Sequence, residues 1–465
     1  MIAPKDIVSF FFIGIGGIGM SALARYFHRM GKSVYGYDRT PSALTRELEE
    51  EGIKIVYNDD PYEILDGGFK ICDLDPSHTL VVRTPAVPED SVIFTYLREK
   101  EFDIHKRAEV LGLVTQEKKA LCVAGTHGKT TTSTMLAHLL HPVNAFLGGI
   151  SMNYDTNLLI DPQSKYVVVE ADEYDRSFHQ LSPYISVVTA VDADHLDIYG
   201  TEEAYREAFA YYTELITGAL VMKYGIALEP RLREGVKCLT YGVLNTEYSI
   251  QNDKPDCYAR NIRIEDGEIM FDYESPMVTI RDIRLGVSVW VNVENAVAAI
   301  TVALLAGGTE EQIKAQMASF QGVWRRFNIH VNSPKVVYID DYAHHPEEIA
   351  TAIDSIRKLY PHRKLIGVFQ PHLYTRTRDF AEDFKRVLAS LDECVLLPIY
   401  PARELPIEGV TSEILGGRVV EKADLIAELK RLIAASDEAV VVLTVGAGDI
   451  DRMVQPIAKE LERGE

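Results

Sequence analysis

Apolar and polar positions along the chain fall into three successive stretches. Each opens with short apolar runs that alternate with amphipathic helical patterns, the mark of parallel α/β domains. In the first stretch, residues 1–108, the run Ile7–Ile13 reads as a buried strand, Gly17 to Met30 as a helix stopped by Gly31, and Ser33–Tyr37 and Thr79–Val82 as further strands. Arg83 to Pro88 breaks the pattern as a loop. In the second, residues 109–322, Ala120–Ala124 feeds a glycine turn and a helix from Lys129 to Leu140. Tyr166–Val169 and Ile185–Val191 are apolar on both faces, as strands of a covered parallel sheet are. Asn261–Tyr273 alternates about Asp266-Gly267, a hairpin signal that predicts a small antiparallel insertion. In the third, residues 323–465, Lys335–Ile339, Lys364–Phe369, Cys394–Pro398 and Ala439–Val445 are strands. Pro346 to Tyr360 is a helix with Ile349, Ile353, Ile356 and Tyr360 on one face.

Composition narrows the function. The chain has 465 residues, 47% hydrophobic and 25% charged, an ordinary globular balance. Its net charge of −21 argues against nucleic acid as a partner, because phosphate backbones select basic surfaces. The five cysteines are scattered without a CxxC pair, which fits free thiols in a reducing compartment and disfavours structural zinc. The longest apolar run is too short to span a bilayer. A cytoplasmic protein without a membrane partner is expected.

Two glycine loops carry candidate chemistry. Gly14-Ile15-Gly16-Gly17-Ile18-Gly19 follows a strand and opens a helix, with Asp38 at the end of the next strand. That pattern admits phosphate at a helix N-terminus and an acid on a ribose hydroxyl. A nicotinamide-dependent dehydrogenase fits it as well, and so does a tight turn with no ligand. The second loop, Gly125-Thr126-His127-Gly128-Lys129-Thr130-Thr131, carries the GK[ST] end of a P-loop, although Val123 stands where the first glycine would fall. Backbone amides there cradle phosphates, Lys129 reaches the β and γ groups, and Thr130 offers a hydroxyl to Mg2+. Glu170 ends one apolar strand, and Asp192 to His195 follow another. Strand C-termini converge on the ligand crevice in such sheets, so Glu170 and His195 are candidate metal ligands. A third cluster joins Arg326, Asp341, Tyr342, His344, His372 and Arg376 near strand ends, where arginine forks suit carboxylates and phosphates. The adjacent pair His344-His345 does not suit zinc.

Taken in order, GIGGIGMSALA (14–24), TPAV (84–87), RAE (107–109), AGTHGKTTT (124–132), EADEYDRSF (170–178), DADHLDIYG (192–200), NVEN (292–295), RRF (325–327), DDYAHHP (340–346) and FQPHLYTRTRDF (369–380) resemble the Mur ligases over the whole length. The resemblance implies a Rossmann-like N-terminal domain, a central P-loop ATPase-like α/β domain, and a C-terminal Rossmann-like domain that closes over substrates. It implies that Gly14 to Gly19, Asp38, Thr84, Pro85 and Ala86 bind a UDP-substrate rather than NAD. It assigns ATP to Gly125, Thr126, His127, Gly128, Lys129, Thr130, Thr131, Asn292, Asn295, Arg326 and Asp341. Mg2+ falls to Thr130, Glu170 and His195, and the amino-acid region to Tyr342, His344, His372 and Arg376. The reaction implied is ATP-dependent amide formation between UDP-N-acetylmuramate and L-alanine, with Lys129, Glu170, His195 and His344 in catalytic roles. A member that attaches a recycled tripeptide is the alternative, and either a monomer or a homodimer fits. Val291 stands where the family usually has His, and Leu373 where some members have Arg. Ala204–Thr213 holds no lysine, in keeping with the alanine-adding branch.

Overall fold

Three runs of short β-strands, each followed by helices, build three sheets in the computed structural model. It describes residues 6–64, 69–84, 87–192, 196–244, 254–265, 268–287, 289–402 and 404–463. The backbone forms two units. One comprises Met1–Arg260, Tyr273–Ile280 and Asn295–Ser319, and the other Asn261–Asp272, Arg281–Glu294 and Phe320–Glu465.

The first unit begins with a five-stranded parallel sheet of β1 (Ser9–Ile13), β2 (Ser33–Tyr37), β3 (Lys54–Val56), β4 (Thr79–Arg83) and β5 (Asp103–Lys106), in the order β3-β2-β1-β4-β5. The order reverses beside β1, so β1 and the turn after it lie at the switch point where α/β sheets bind ligands. The sequence places β1 there because Phe10, Phe11, Phe12 and Ile13 are apolar on both faces, and all are buried.

The central sheet contains β6 (Lys119–Ala124), β7 (Asn144–Ser151), β8 (Thr156–Leu159), β9 (Tyr166–Glu170), β10 (Pro183–Val188), β11 (Ala219–Lys223), β12 (Lys237–Val243), β13 (Cys257–Glu265), β14 (Glu268–Glu274) and β15 (Thr279–Leu285). Its order is β15-β14-β13-β12-β11-β10-β6-β9-β7-β8. β6 lies between β9 and β10 and is parallel to both, which centres the loop after Ala124. The expected hairpin is present as β13 and β14, which continue the central sheet. Two residues between adjacent strands permit only an antiparallel pair. The turn itself, Asp266-Gly267, lies outside the described residues. The β7–β8 pair was not foreseen: Gly148 and Gly149 interrupt its apolar pattern.

The C-terminal sheet, in the second unit, comprises β16 (Asn328–Asn332), β17 (Val336–Asp341), β18 (Lys364–Phe369), β19 (Glu393–Leu396), β20 (Arg418–Val419) and β21 (Val440–Val445), in the order β16-β17-β21-β18-β19-β20. It is parallel except for β16, a strand too polar for the apolar pattern to reveal, which pairs antiparallel with β17. Helix Pro346–Leu359 buries Ile349, Ile353 and Ile356, the predicted stripe. Among the described residues no helix is long and apolar enough to cross a membrane.

Candidate active site

The loop after β6 is shaped by glycines with backbone angles closed to other residues. Gly125 has φ +131° and Gly128 φ +80°. A Cβ on Gly125 would lie 2.2 Å from Thr189 Oγ1, and one on Gly128 2.9 Å from Asn295 Oδ1. Thr126 Oγ1 donates to the Asp192 carbonyl at 2.8 Å, and Thr189 Oγ1 donates to the His127 carbonyl. Gly128 caps the helix Lys129–Leu139, so the loop delivers its amides to a helix N-terminus as a phosphate cradle requires. Val123 in place of the usual first glycine changes none of this, because it is a buried residue of β6.

Lys129 is held inside the loop. Its Nζ donates to the Gly125 carbonyl at 2.7 Å and the Thr126 carbonyl at 3.3 Å, and it pairs with Glu173 Oε1 at 2.8 Å. Glu173 is a residue of the site that sequence reasoning did not name. The signal was the third acid of EADE, displaced from the strand end by a turn. Glu173 is buried, and burial pushes its carboxyl up to about 7 against the opposing pull of Lys129. Its Oε2 is buried without a hydrogen-bond partner among the described residues. Tyr199 donates to the Glu173 carbonyl at 2.5 Å, and the next residues, Asp175 and Arg176, both adopt the left-handed backbone conformation at φ 50° and 55°. Such strain persists where surrounding contacts enforce it, as around sites.

Glu170 goes elsewhere. A Cβ on Gly148 would meet its Oε2 at 2.1 Å, so the carboxylate packs on β7. It lines a cavity of about 310 Å³ with Gly19, Arg107, Asn157, Asp172 and Ser177. The Thr130 hydroxyl makes no hydrogen bond among the described residues. No group of three His, Cys, Asp or Glu converges among the described residues. That suits Mg2+, which takes one or two protein oxygens and fills its shell with phosphate and water. Thr130 and the orphaned Glu173 oxygen fit that demand. His195, the other expected ligand, lies outside the described residues, as do Pro85 and Ala86.

The first glycine loop is tied to itself. Gly14 and Ile15 amides donate to the Tyr37 carbonyl, Gly17 to the Gly14 carbonyl, and Gly16 to Asp38 Oδ2 at 2.8 Å. Asp38 thus orders the glycine loop through Oδ2. Thr84 touches the loop closely: a Cβ on Gly14 would lie 2.6 Å from its Cγ2.

Of the two asparagines on helix Trp290–Leu305, Asn295 accepts from Thr132 Oγ1 at 3.2 Å beside the P-loop, and Asn292 Nδ2 donates to the Val287 carbonyl at 3.4 Å. In the second unit, Asp341 accepts from the Phe327 and Ala343 amides at 2.8 and 2.7 Å. Burial raises its carboxyl to about 6 despite Arg326. Arg326 lies 5.4 Å over the Tyr342 ring, Tyr342 meets the His344 ring at 5.3 Å, and His344 meets His372 at 6.3 Å. Burial lowers both histidines, with Arg376 adding to it in each, and His372 falls to about 4. The sequence-predicted residues of this sheet therefore form one cluster of neutral imidazoles beside arginines.

Known proteins resemble this chain over nearly its whole length. Residues 9–119 match the model described as Mur ligase family, catalytic domain, residues 123–303 the Mur ligase middle domain, and residues 325–448 the Mur ligase, glutamate ligase domain. The chain is 54% identical to a UDP-N-acetylmuramate–L-alanine ligase of Phocaeicola vulgatus and 53% identical to that of Parabacteroides distasonis, covering 98% of each chain in both cases. It is similar to the crystal structure of UDP-N-acetylmuramate-alanine ligase from Thermotoga maritima, with a TM-score of 0.75 at 28% identity over 98% of this chain and 100% of that one. A murein peptide ligase from Psychrobacter arcticus shares the fold, with a TM-score of 0.61 at 21% identity over 98% of each chain. With a P-loop that holds its lysine on a buried acid, three matched domain models and near-full-length relatives, the chain belongs to the Mur ligase family.

Proposed function

We propose that this chain joins the lactyl carboxylate of UDP-N-acetylmuramate to L-alanine, driven by ATP, in peptidoglycan precursor synthesis. The observation that carries the proposal is Lys129, placed by the Gly125–Gly128 turn and held 2.8 Å from Glu173. The 54% identity to an alanine-adding relative over nearly its whole length supports the choice of amino acid.

In this reading three domains divide the work: residues 1–108 take the UDP-substrate, 109–322 ATP, and 323–465 the amino acid. ATP arrives, Lys129 leaves Glu173 for the γ-phosphate, and the loop amides hold the β-phosphate. Thr130 and Glu173, with His195 as the further ligand that the family resemblance implies, would hold Mg2+, which would neutralise charge on the transferring phosphoryl group. The lactyl carboxylate attacks the γ-phosphorus, the bond to ADP breaks, and an acyl phosphate forms. The alanine amine then attacks the acyl carbon, and phosphate leaves as the amide forms. His344, neutral at pH 7 because burial lowers it, accepts the amine proton. Exclusion of water preserves the acyl phosphate for the amine. The protein works in the cytoplasm, where ATP and UDP-sugars are made.

The test is phosphate release from ATP with UDP-N-acetylmuramate and, in separate reactions, L-alanine, glycine, L-serine or the tripeptide. Release with L-alanine at the highest kcat/KM is expected. Release with the tripeptide alone would move the assignment to the recycling branch, and release without any acceptor dependence would overturn it.

A further inference from the structure

The cavity that Glu170 lines contains one cation, Arg107, with no hydrogen bond or ion pair among the described residues. Arg107, the first residue of helix Arg107–Glu117, leans over the start of helix Ile18–Arg29. A Cβ on Gly19 would lie 2.9 Å from its Nη1 and 3.1 Å from its Cδ, so the guanidinium passes directly over Gly19 and a side chain there would push it aside. Among the described residues Arg107 makes no hydrogen bond or ion pair, although Glu170 and Asp172 line the same cavity. An arginine fork that faces a cavity without an internal carboxylate partner is available to a ligand's.

The position of the cavity says which group that is. Glu170 stands opposite Val123 in the sheet, at the root of the loop that carries Lys129. Apolar residues, among them Leu23, Leu111, Phe146 and Phe178, form the rest of the wall. About 310 Å³ is at the small end of ligand pockets, enough for one sugar ring with its substituent and too small for a nucleotide as well. Two acids in the wall would repel an anionic sugar that lacked a counter-charge. We infer that Arg107 is a positioning residue that grips the reacting carboxylate of the sugar acid and aims it at the nucleotide on Lys129. The inference rests on the ligase reading given above and specifies how its sugar substrate is selected.

The experiment measures calorimetric binding of UDP-N-acetylmuramate and of UDP-N-acetylglucosamine, which has no lactyl carboxylate, to the wild-type enzyme and to Arg107→Ala, Arg107→Lys and Gly19→Ala. Arg107→Ala should weaken UDP-N-acetylmuramate about 10- to 100-fold, the worth of a charged hydrogen-bonded pair, and leave UDP-N-acetylglucosamine and ATP unchanged. Arg107→Lys should recover part of the loss. Gly19→Ala, which displaces the guanidinium without removing its charge, should weaken UDP-N-acetylmuramate in the same direction. In turnover, the KM for UDP-N-acetylmuramate should rise in Arg107→Ala while the KM for ATP holds. Equal weakening of both UDP-sugars would place Arg107 on the diphosphate and overturn the inference. Unchanged binding of UDP-N-acetylmuramate in Arg107→Ala would overturn it too. Failure of the wild-type enzyme to bind UDP-N-acetylmuramate at all would instead sink the ligase reading beneath it.

Discussion

Two acids three residues apart do different work, and the difference is measurable. Glu173 has one carboxylate oxygen on Lys129 and the other buried, whereas Glu170, whose Oε2 is buried too, packs on Gly148 away from the lysine and lines the cavity beside Arg107. Glu173→Gln should therefore raise the Mg2+ concentration for half-maximal phosphate release at least about tenfold, the usual scale for disturbing a metal site. Glu170→Gln should move it far less. Equal shifts, or a larger one in Glu170→Gln, would reverse the roles. His372 gives a second test through pH. Burial, helped by Arg376 and His344, holds it at about 4 in the folded protein against 6.5 when unfolded. Between those values the unfolded chain binds the extra proton, so stability falls as pH drops from about 6.5 to about 4. His372→Gln should recover about 1 kcal/mol of the loss between pH 7 and pH 5, a figure discounted for the ring's partial exposure. Urea midpoints at the two pH values measure it, and an unchanged acid slope would refute it.

At the level of elements, the turns decide more than the strands they follow. Gly125 has φ +131° and no room for a Cβ between Thr189 Oγ1 and the Ala190 amide, at 2.2 and 2.7 Å. Gly125→Ala combines backbone strain with overpacking, and should destabilise the protein by about 2–4 kcal/mol and abolish ATP binding. A variant as stable as the parent would show that the loop relaxes freely. This is also where sequence and structure part. β1, β6 and β9 are legible because runs such as Phe10–Ile13 and Val167–Val169 are apolar on both faces, which only a covered parallel strand needs. β16 escapes because an edge strand with Asn328, His330 and Asn332 has no apolar period to read. Lys129 was legible from its loop, since glycine spacing encodes the turn. Its partner Glu173 was not, because its approach to Lys129 follows a turn with left-handed backbone at Asp175 and Arg176, and an arginine there gives no signal of it. Asp38 shows the reverse. Its spacing from the glycine loop suggests a ribose ligand, and the structure shows its Oδ2 accepting from the Gly16 amide of that loop, a contact the spacing alone does not announce.

Across the whole molecule, the apolar clusters divide as the chain does. One core in the first unit runs from Phe10 and Leu23 to Val169 and Tyr212, joining the N-terminal sheet to the central one, and a second gathers Phe11, Ile13 and Ile93. The C-terminal sheet has its own two, around Tyr338 and Val442 and around Ile349 and Phe369. Units with separate cores melt as separate cooperative bodies unless a large apolar interface couples them. The cavity proposed for the sugar lies entirely within the first unit, between helix Ile18–Arg29 and strands β7 to β9. A ligand stabilises only the body whose folded form binds it. Differential scanning calorimetry should accordingly resolve two transitions. UDP-N-acetylmuramate at about one hundred times its Kd should stabilise the one that contains residues 1–260 by about 2.7 kcal/mol and leave the other in place. Limited proteolysis during the melt assigns each transition to its residues. A single transition, or equal shifts in both, would mean that the substrate's binding free energy is shared across the chain, and that the cavity is not the self-contained sugar site its walls describe.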